Sequence, residues 1–222
     1  MRTLMLSGWA QPVDALGEIA PGAATFDYSA YGSPEASFAG LAALRDVEHL
    51  IGWSMGGQLA LRAIAAGILA PKHLTLIGAP YRFVGADGMG AETFALFRAS
   101  YEADPARTKT RFHGLVAKGH TDAKRVMGAL SHHPQVEETA RWLPWLDALA
   151  GYDMRDADLA KAPRTLIIHG MNDAIVPHAQ AARLAALLPD ATVLDWPETG
   201  HAPHLEDAAQ LRAHVAAHRG VA

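Results

Sequence analysis

The chain has 222 residues, half of them hydrophobic, enough for one sizeable core and too few for two comfortable domains. A formal net charge of −4 gives no electrostatic basis for binding nucleic acid, and the absence of cysteine removes disulfides, thiolate metal sites and a cysteine nucleophile while sitting easily with a cytoplasmic location. No apolar run reaches the roughly 18 to 20 residues of a spanning helix, since Arg62 breaks the longest Ala/Leu/Ile stretch, so a soluble chain with no membrane partner is expected.

In chain order, Arg2 to Leu6 reads as a short strand and Ser7-Gly8-Trp9-Ala10 as the turn after it. Ser7 and Gly8, then Asp14, interrupt the apolar stretch before a secretory leader is complete. A second strand is expected over Ala24 to Tyr28, between loops marked by Pro21-Gly22 and Gly32-Ser33-Pro34. Val47 to Ile51 forms a third apolar run, and it leads straight into Gly52-Trp53-Ser54-Met55-Gly56-Gly57, followed by a helix-like stretch from Gln58 to Ala66.

A strand that ends in a sharp turn and re-enters as a helix holds Ser54 in a strained backbone conformation, with glycine at 52 and 56 because side chains there would collide with the turn. Ser54 is thereby presented as a nucleophile at a strand's end. The first N–H groups of the following helix, that of Met55 included, point at the same spot and favour an anionic oxygen. A second donor for that oxygen should come from the loop after the first strand, which assigns the backbone N–H of Trp9. Trp53 and Met55 flank the nucleophile, and one of the two must face the core.

His73 to Ile77 reads as a further strand ending at Gly78-Ala79-Pro80. From about Arg82 to Lys161 the strand rhythm stops, and Phe94, Phe97, Tyr101, Phe112, Leu115, Val116, Met127, Leu130, Trp142 and Leu146 recur at helical spacings. This is a helical insertion at 82–161, within a core made of 1–81 and 162–222. Its aromatics, Phe112 and Trp142 among them, either line an acyl pocket with Trp9 and Trp53 or hold the insertion's own helices together. From Arg98 to Arg125 it carries seven basic residues, Arg98, Arg107, Lys109, Arg111, Lys118, Lys124 and Arg125, against three acids. Either this is an ordinary solvated face or it is a docking surface for an acidic partner or an anionic substrate arm.

Strand runs return at Thr165 to His169 and Ala191 to Trp196. The first is followed by Gly170-Met171-Asn172-Asp173, which sets Asp173 just past the strand end as the candidate orienting carboxylate, with Asp195 the next choice. The second leads into Gly200-His201-Ala202-Pro203-His204, where Gly200 lets the loop aim His201, the candidate base, across the sheet edge. His204 is expected to be a solvated helix-start residue. Twelve histidines invite a metal reading, but no His-Glu-x-x-His is present and His132-His133 precedes Pro134 without a carboxylate at ligand spacing, so no metal site is expected.

Serine, acid and histidine in this order, on alternating strands and helices, are those of an α/β-hydrolase: a mostly parallel central sheet, helices on both faces and a helical lid. Little chain separates the first two strands, which leaves little room for the antiparallel edge strands that begin many such sheets. With Ser7-Gly8-Trp9, the tryptophan in the 52–57 motif, the four-helix-like lid and the Asp173 and His201 loops, the chain resembles the pimeloyl-acyl-carrier-protein methyl ester esterases of biotin synthesis. It departs from them at Ser7, where many members carry His, and in its shortened first third. The resemblance implies a triad of Ser54, Asp173 and His201, oxyanion donors at Trp9 and Met55, no cofactor, and docking of acyl carrier protein on the basic lid, at Arg107, Arg111, Lys124 and Arg125. Two other readings stay open: a general short-chain carboxylesterase acting on small esters, and a ligand-binding receptor on a hydrolase scaffold.

Overall fold

Six strands lie side by side and all run the same way, with helical turns or helices between every consecutive pair but the first. The computed structural model describes residues 2–44, 46–131 and 139–220, so His132 and His133 fall outside it. In the order β2-β1-β3-β4-β5-β6, the strands are β1 (Thr3–Leu6), β2 (Ala24–Thr25), β3 (His49–Trp53), β4 (His73–Ile77), β5 (Arg164–Gly170) and β6 (Ala191–Trp196). Leu6 pairs with Gly52, Trp53 with Ile77, Ile77 with Ile168 and Gly170 with Trp196, which aligns the C-terminal ends of five strands along one edge.

β2 is shorter than its apolar run suggests. The Asp27 carboxylate accepts from the backbone N–H of Ser29 at 3.1 Å, which turns the chain into a single 3-10 turn at Tyr28–Ala30. Tyr28 is buried beside the sheet instead of extending it, and its hydroxyl donates to the Ser7 carbonyl at 2.8 Å. The Gly32-Ser33-Pro34 loop opens α1 (Pro34–Ala42): Ser33 accepts from Ala36 N–H, and Pro34 sits at the first helical position, where its missing N–H costs nothing. α2 (Met55–Ala65) starts three residues before the Gln58 to Ala66 stretch and buries nine of its eleven residues, so it lies inside the core.

Between β4 and β5 the chain leaves the sheet for α3 (Ala91–Ala103), α4 (Pro105–Ala117), α5 (Ala123–Ser131) and α6 (Thr139–Gly151). The two ends of this excursion meet, since Arg82 and Asp153 form an antiparallel bridge and Met154 N–H donates to Tyr81 O at 3.1 Å. Asp104 caps α4 by accepting from Arg107 N–H, with Pro105 at its first position. Trp9, in the loop after β1, is the hub on which the helices rest. Phe97, Tyr101, Phe112 and Trp142 meet its indole edge-on with ring centroids 4.8 to 6.4 Å away, and its Nε1–H donates to Trp142 O at 2.9 Å. Tyr101, Val116, Leu130 and Leu146 are buried, whereas Leu115 points outward at 39% exposure.

The chain closes with α7 (Ala179–Ala185), α8 (Pro203–Glu206) and α9 (Ala208–His218). No described helix is long and apolar enough to cross a membrane.

Candidate active site

Trp9, Ser54, Asp173 and His201 follow β1, β3, β5 and β6, so all four lie along the edge where the parallel strands end. Ser54 joins β3 to α2. Its backbone sits at φ 54°, ψ −119°, a conformation costly for any residue with a side chain, and it is held from both directions. Ser54 N–H extends the sheet by donating to Ile77 O at 2.8 Å, and Ser54 O accepts from Gly57 and Gln58 N–H, starting α2. A Cβ on Gly52 would lie 2.5 Å from Gly57 Cα, and one on Gly56 only 2.1 Å from Leu6 O. That second contact presses the first turn of α2 against the end of β1 and brings the Trp9 loop beside Met55. Among the described residues neither the Trp9 nor the Met55 N–H has an acceptor, as expected of a loop amide and of a first helical residue.

The acid and base loops are laced together by main chain. Met171 N–H donates to Trp196 O and Asn172 N–H to Thr199 O, both at 3.0 Å. This registers His201 Nδ1 at 2.7 Å from Asp173 Oδ2, with both side chains buried. Asp173 Oδ1 accepts from Ile175 and Val176 N–H at 2.8 and 2.9 Å, and His169 Nε2 lies 3.4 Å from Oδ2. Burial by itself would raise the Asp173 carboxyl, but the His201 ring and the hydrogen bonds from His169 and His201 outweigh it and hold the group far below the usual carboxylate range. His201 Nε2 is buried without a partner among the described residues, and Ser54 Oγ is not bonded to it. Such hydrogen bonds are commonly open before substrate arrives. Asp195 is elsewhere: it pairs with His178 at 2.6 Å on the surface.

Three expectations change. Trp53, a candidate for touching substrate, is turned inward at 1% exposure; its Nε1–H donates to His201 O at 3.0 Å and its ring packs on His201 and His204. His204 does start a helix, α8, but it is not solvated: it is 2% exposed, edge-on to Trp53 at 4.5 Å, and burial pushes its imidazole down to about 3, with His201 and His120 adding to the effect. The basic run of the insertion is also thinner than its composition. Arg98 is neutralised by Asp147 at 2.6 and 2.8 Å and by Glu102, and Lys109 is buried. Arg107, Arg111, Lys118, Lys124 and Arg125 are exposed. Phe112 and Trp142 are committed to the rings around Trp9, Trp142 also meeting Tyr28 edge-on.

Two histidines with no sequence motif reach the site. His169, the penultimate residue of β5, lies against Asp173, its Nε2 also 2.9 Å from Val176 O. His120, between α4 and α5, hydrogen-bonds the Ala202 N–H directly after His201.

A family model described as the alpha/beta hydrolase family matches residues 4–214. The pimeloyl-[acyl-carrier protein] methyl ester esterase of Aromatoleum aromaticum is 36% identical over 184 residues, 76% of this chain and 73% of that protein. The enzyme of the same name from Nitrosomonas europaea is 34% identical over 69% of this chain and 64% of its own length. Among solved structures, an esterase from Exiguobacterium antarcticum superposes with a TM-score of 0.79 at 17% identity, over 98% of this chain and 91% of that one, a likeness of fold.

Proposed function

The chain belongs to the alpha/beta hydrolase family, and we propose that it is a serine carboxylesterase that hydrolyses the methyl ester of a pimeloyl group carried on acyl carrier protein. The observation that carries the chemistry is the buried His201–Asp173 pair, 2.7 Å apart, at the strand edge where Ser54 is held at positive φ. Ser54 Oγ attacks the ester carbonyl while His201 Nε2 takes its proton, and the developing oxyanion is met by the Trp9 and Met55 amides. Asp173 keeps the His201 proton on Nδ1 and stabilises the imidazolium. Collapse of the adduct breaks the C–O bond, His201 returns the proton, and methanol leaves. Water then attacks the acyl-Ser54, gives a proton to His201 and releases the free acid and the serine. Neither step needs a cofactor.

The substrate assignment is supported by the relatives at 34–36% identity and by exposed Arg107, Arg111, Lys124 and Arg125 on an otherwise acidic chain, a surface suited to an acidic carrier. Helices α3 to α6 act as the lid, seated on Trp9. The reading sets the enzyme in the cytoplasm, a compartment that suits a cysteine-free chain. Its test is a side-by-side assay of methyl pimeloyl-carrier protein and a free short-chain ester: kcat/KM should favour the carrier-linked ester by at least about tenfold. Equal values would leave a general carboxylesterase, and no turnover of either would favour a receptor.

A further inference from the structure

The segment joining α4 to α5 dips back into the core and touches both candidate loops. Asn172 Nδ2 donates to Gly119 O at 3.4 Å, Thr121 Oγ1 to Glu198 O at 3.3 Å, and Asp122 N–H to Glu206 Oε1 at 3.0 Å. Between them the His120 side chain is fully enclosed, with Nδ1 2.6 Å from Glu206 Oε2 and Nε2 3.1 Å from the backbone nitrogen of Ala202. The Lys118 carbonyl and the His120 ring together fill the space a side chain at residue 200 would need: a Cβ on Gly200 would fall 2.2 Å from Lys118 O and 2.7 Å from His120 Cδ2.

A peptide N–H can only donate, so Nε2 must be the acceptor and the ring proton must sit on Nδ1, directed at Glu206. One neutral tautomer satisfies both bonds, and protonating the ring would break the bond to Ala202. Burial disfavours that protonation, with Glu206 pulling the other way and the net direction downward. The peptide unit between His201 and Ala202 is therefore held at both polar ends, its N–H by His120 Nε2 and its carbonyl by Trp53 Nε1–H at 3.0 Å. Rotation of that peptide would swing the His201 ring away from Ser54 or Asp173.

We propose that His120 is a positioning residue for the catalytic base: as an Nδ1–H tautomer pinned by Glu206, it fixes the peptide after His201 and makes the insertion part of the machinery that aims the imidazole. The proposal rests on the triad reading above.

The test compares His120→Gln, His120→Asn and His120→Leu on a free short-chain ester, with folding checked by circular dichroism and melting temperature. Glutamine places an acceptor oxygen where Nε2 lies, whereas asparagine ends near Nδ1 and leucine offers nothing. His120→Gln should keep kcat within about threefold, while the Asn and Leu variants lose at least about tenfold with KM within about twofold. All three should melt lower, so a kcat that tracks melting temperature, or stays within threefold in every variant, overturns the proposal. If the Asn and Leu variants do not fold, Glu206→Gln and Glu206→Met replace them. The first has one acceptor oxygen for two donors; it should go to the enclosed Nδ1–H, leaving the exposed Asp122 N–H to water, and kcat should stay within about twofold, whereas the second frees the tautomer and should lose at least about fivefold. Equal rates for that pair would overturn the idea equally. Ser54→Ala, run alongside, separates the two failures, because turnover retained there sinks the triad reading whatever the His120 series does.

Discussion

Replacing Asp173 with asparagine changes one oxygen into an NH2 group, and the structure decides which. Ile175 and Val176 N–H both donate to Oδ1, at 2.8 and 2.9 Å. An amide that turned its nitrogen toward them would leave two buried donors unsatisfied, at roughly 1–3 kcal/mol each. The oxygen is thus favoured on that side, where it meets two backbone donors against the single His169 Nε2–H on the other. The NH2 then faces His201 Nδ1 across the 2.7 Å contact and donates to it, which drives the ring proton to Nε2, where it faces Ser54 and cannot accept. Loss of the correct tautomer in such a triad lowers kcat by about ten-thousandfold, equivalent to about 5.5 kcal/mol of barrier. Steady-state hydrolysis of a free short-chain ester measures it, with the fold checked by melting temperature. A folded variant within tenfold of wild type would refute both the acid assignment and the pinning argument.

Gly56→Ala should cost at least about 3 kcal/mol of stability in urea titration, because its methyl would sit 2.1 Å from the Leu6 carbonyl oxygen in rigid main chain; a change below 1 kcal/mol would mean α2 can shift freely. Among the imidazoles that burial depresses, His49 and His204 fall to about 3 and His113 to about 4. Each is neutral in the fold and takes up its proton near pH 6.5 when unfolded, so stability is complete above that pH and falls as pH drops toward the folded values, by up to about 1.4 kcal/mol per unit per group. His204→Phe should flatten this loss in urea midpoints between pH 7 and 4.5, and an unchanged slope would count against a neutral buried His204. Reversing Arg107, Arg111 and Arg125 to glutamate should cut kcat/KM for the carrier-linked ester at least about tenfold, less at high salt, while a small neutral ester stays within about twofold. Equal losses on both substrates would indicate damage to the insertion instead.

The central sheet was legible because β3, β4 and β5 are buried on both faces and so read as unbroken apolar runs flanked by turn residues. β2 was over-read because the Asp27 side chain competes for the backbone just where the apolar pattern continues. Residue type and order pointed to Ser54, Asp173 and His201, since a strained turn and two loop positions leave local marks in a sequence. What surrounds them left none. His204 and Trp53 lie inward because the base loop folds over them, a tertiary outcome that no local pattern encodes, and His120 reaches the site from 82 residues away in sequence. The Arg98 and Lys109 charges belong to the basic run by composition, yet one is cancelled by Asp147 on α6 and the other is buried.

The rings gathered on Trp9 bear on how this enzyme can be re-engineered. The residue whose amide is the proposed oxyanion donor is also the one on which α3, α4 and α6 rest, through its indole face and the Nε1–H bond to Trp142. Exchanging the insertion for another to alter acyl preference is therefore not a modular graft. A transplanted lid must bring rings of matching shape to that indole, or the loop carrying the donor relaxes and any change in acyl preference comes at the expense of the chemistry.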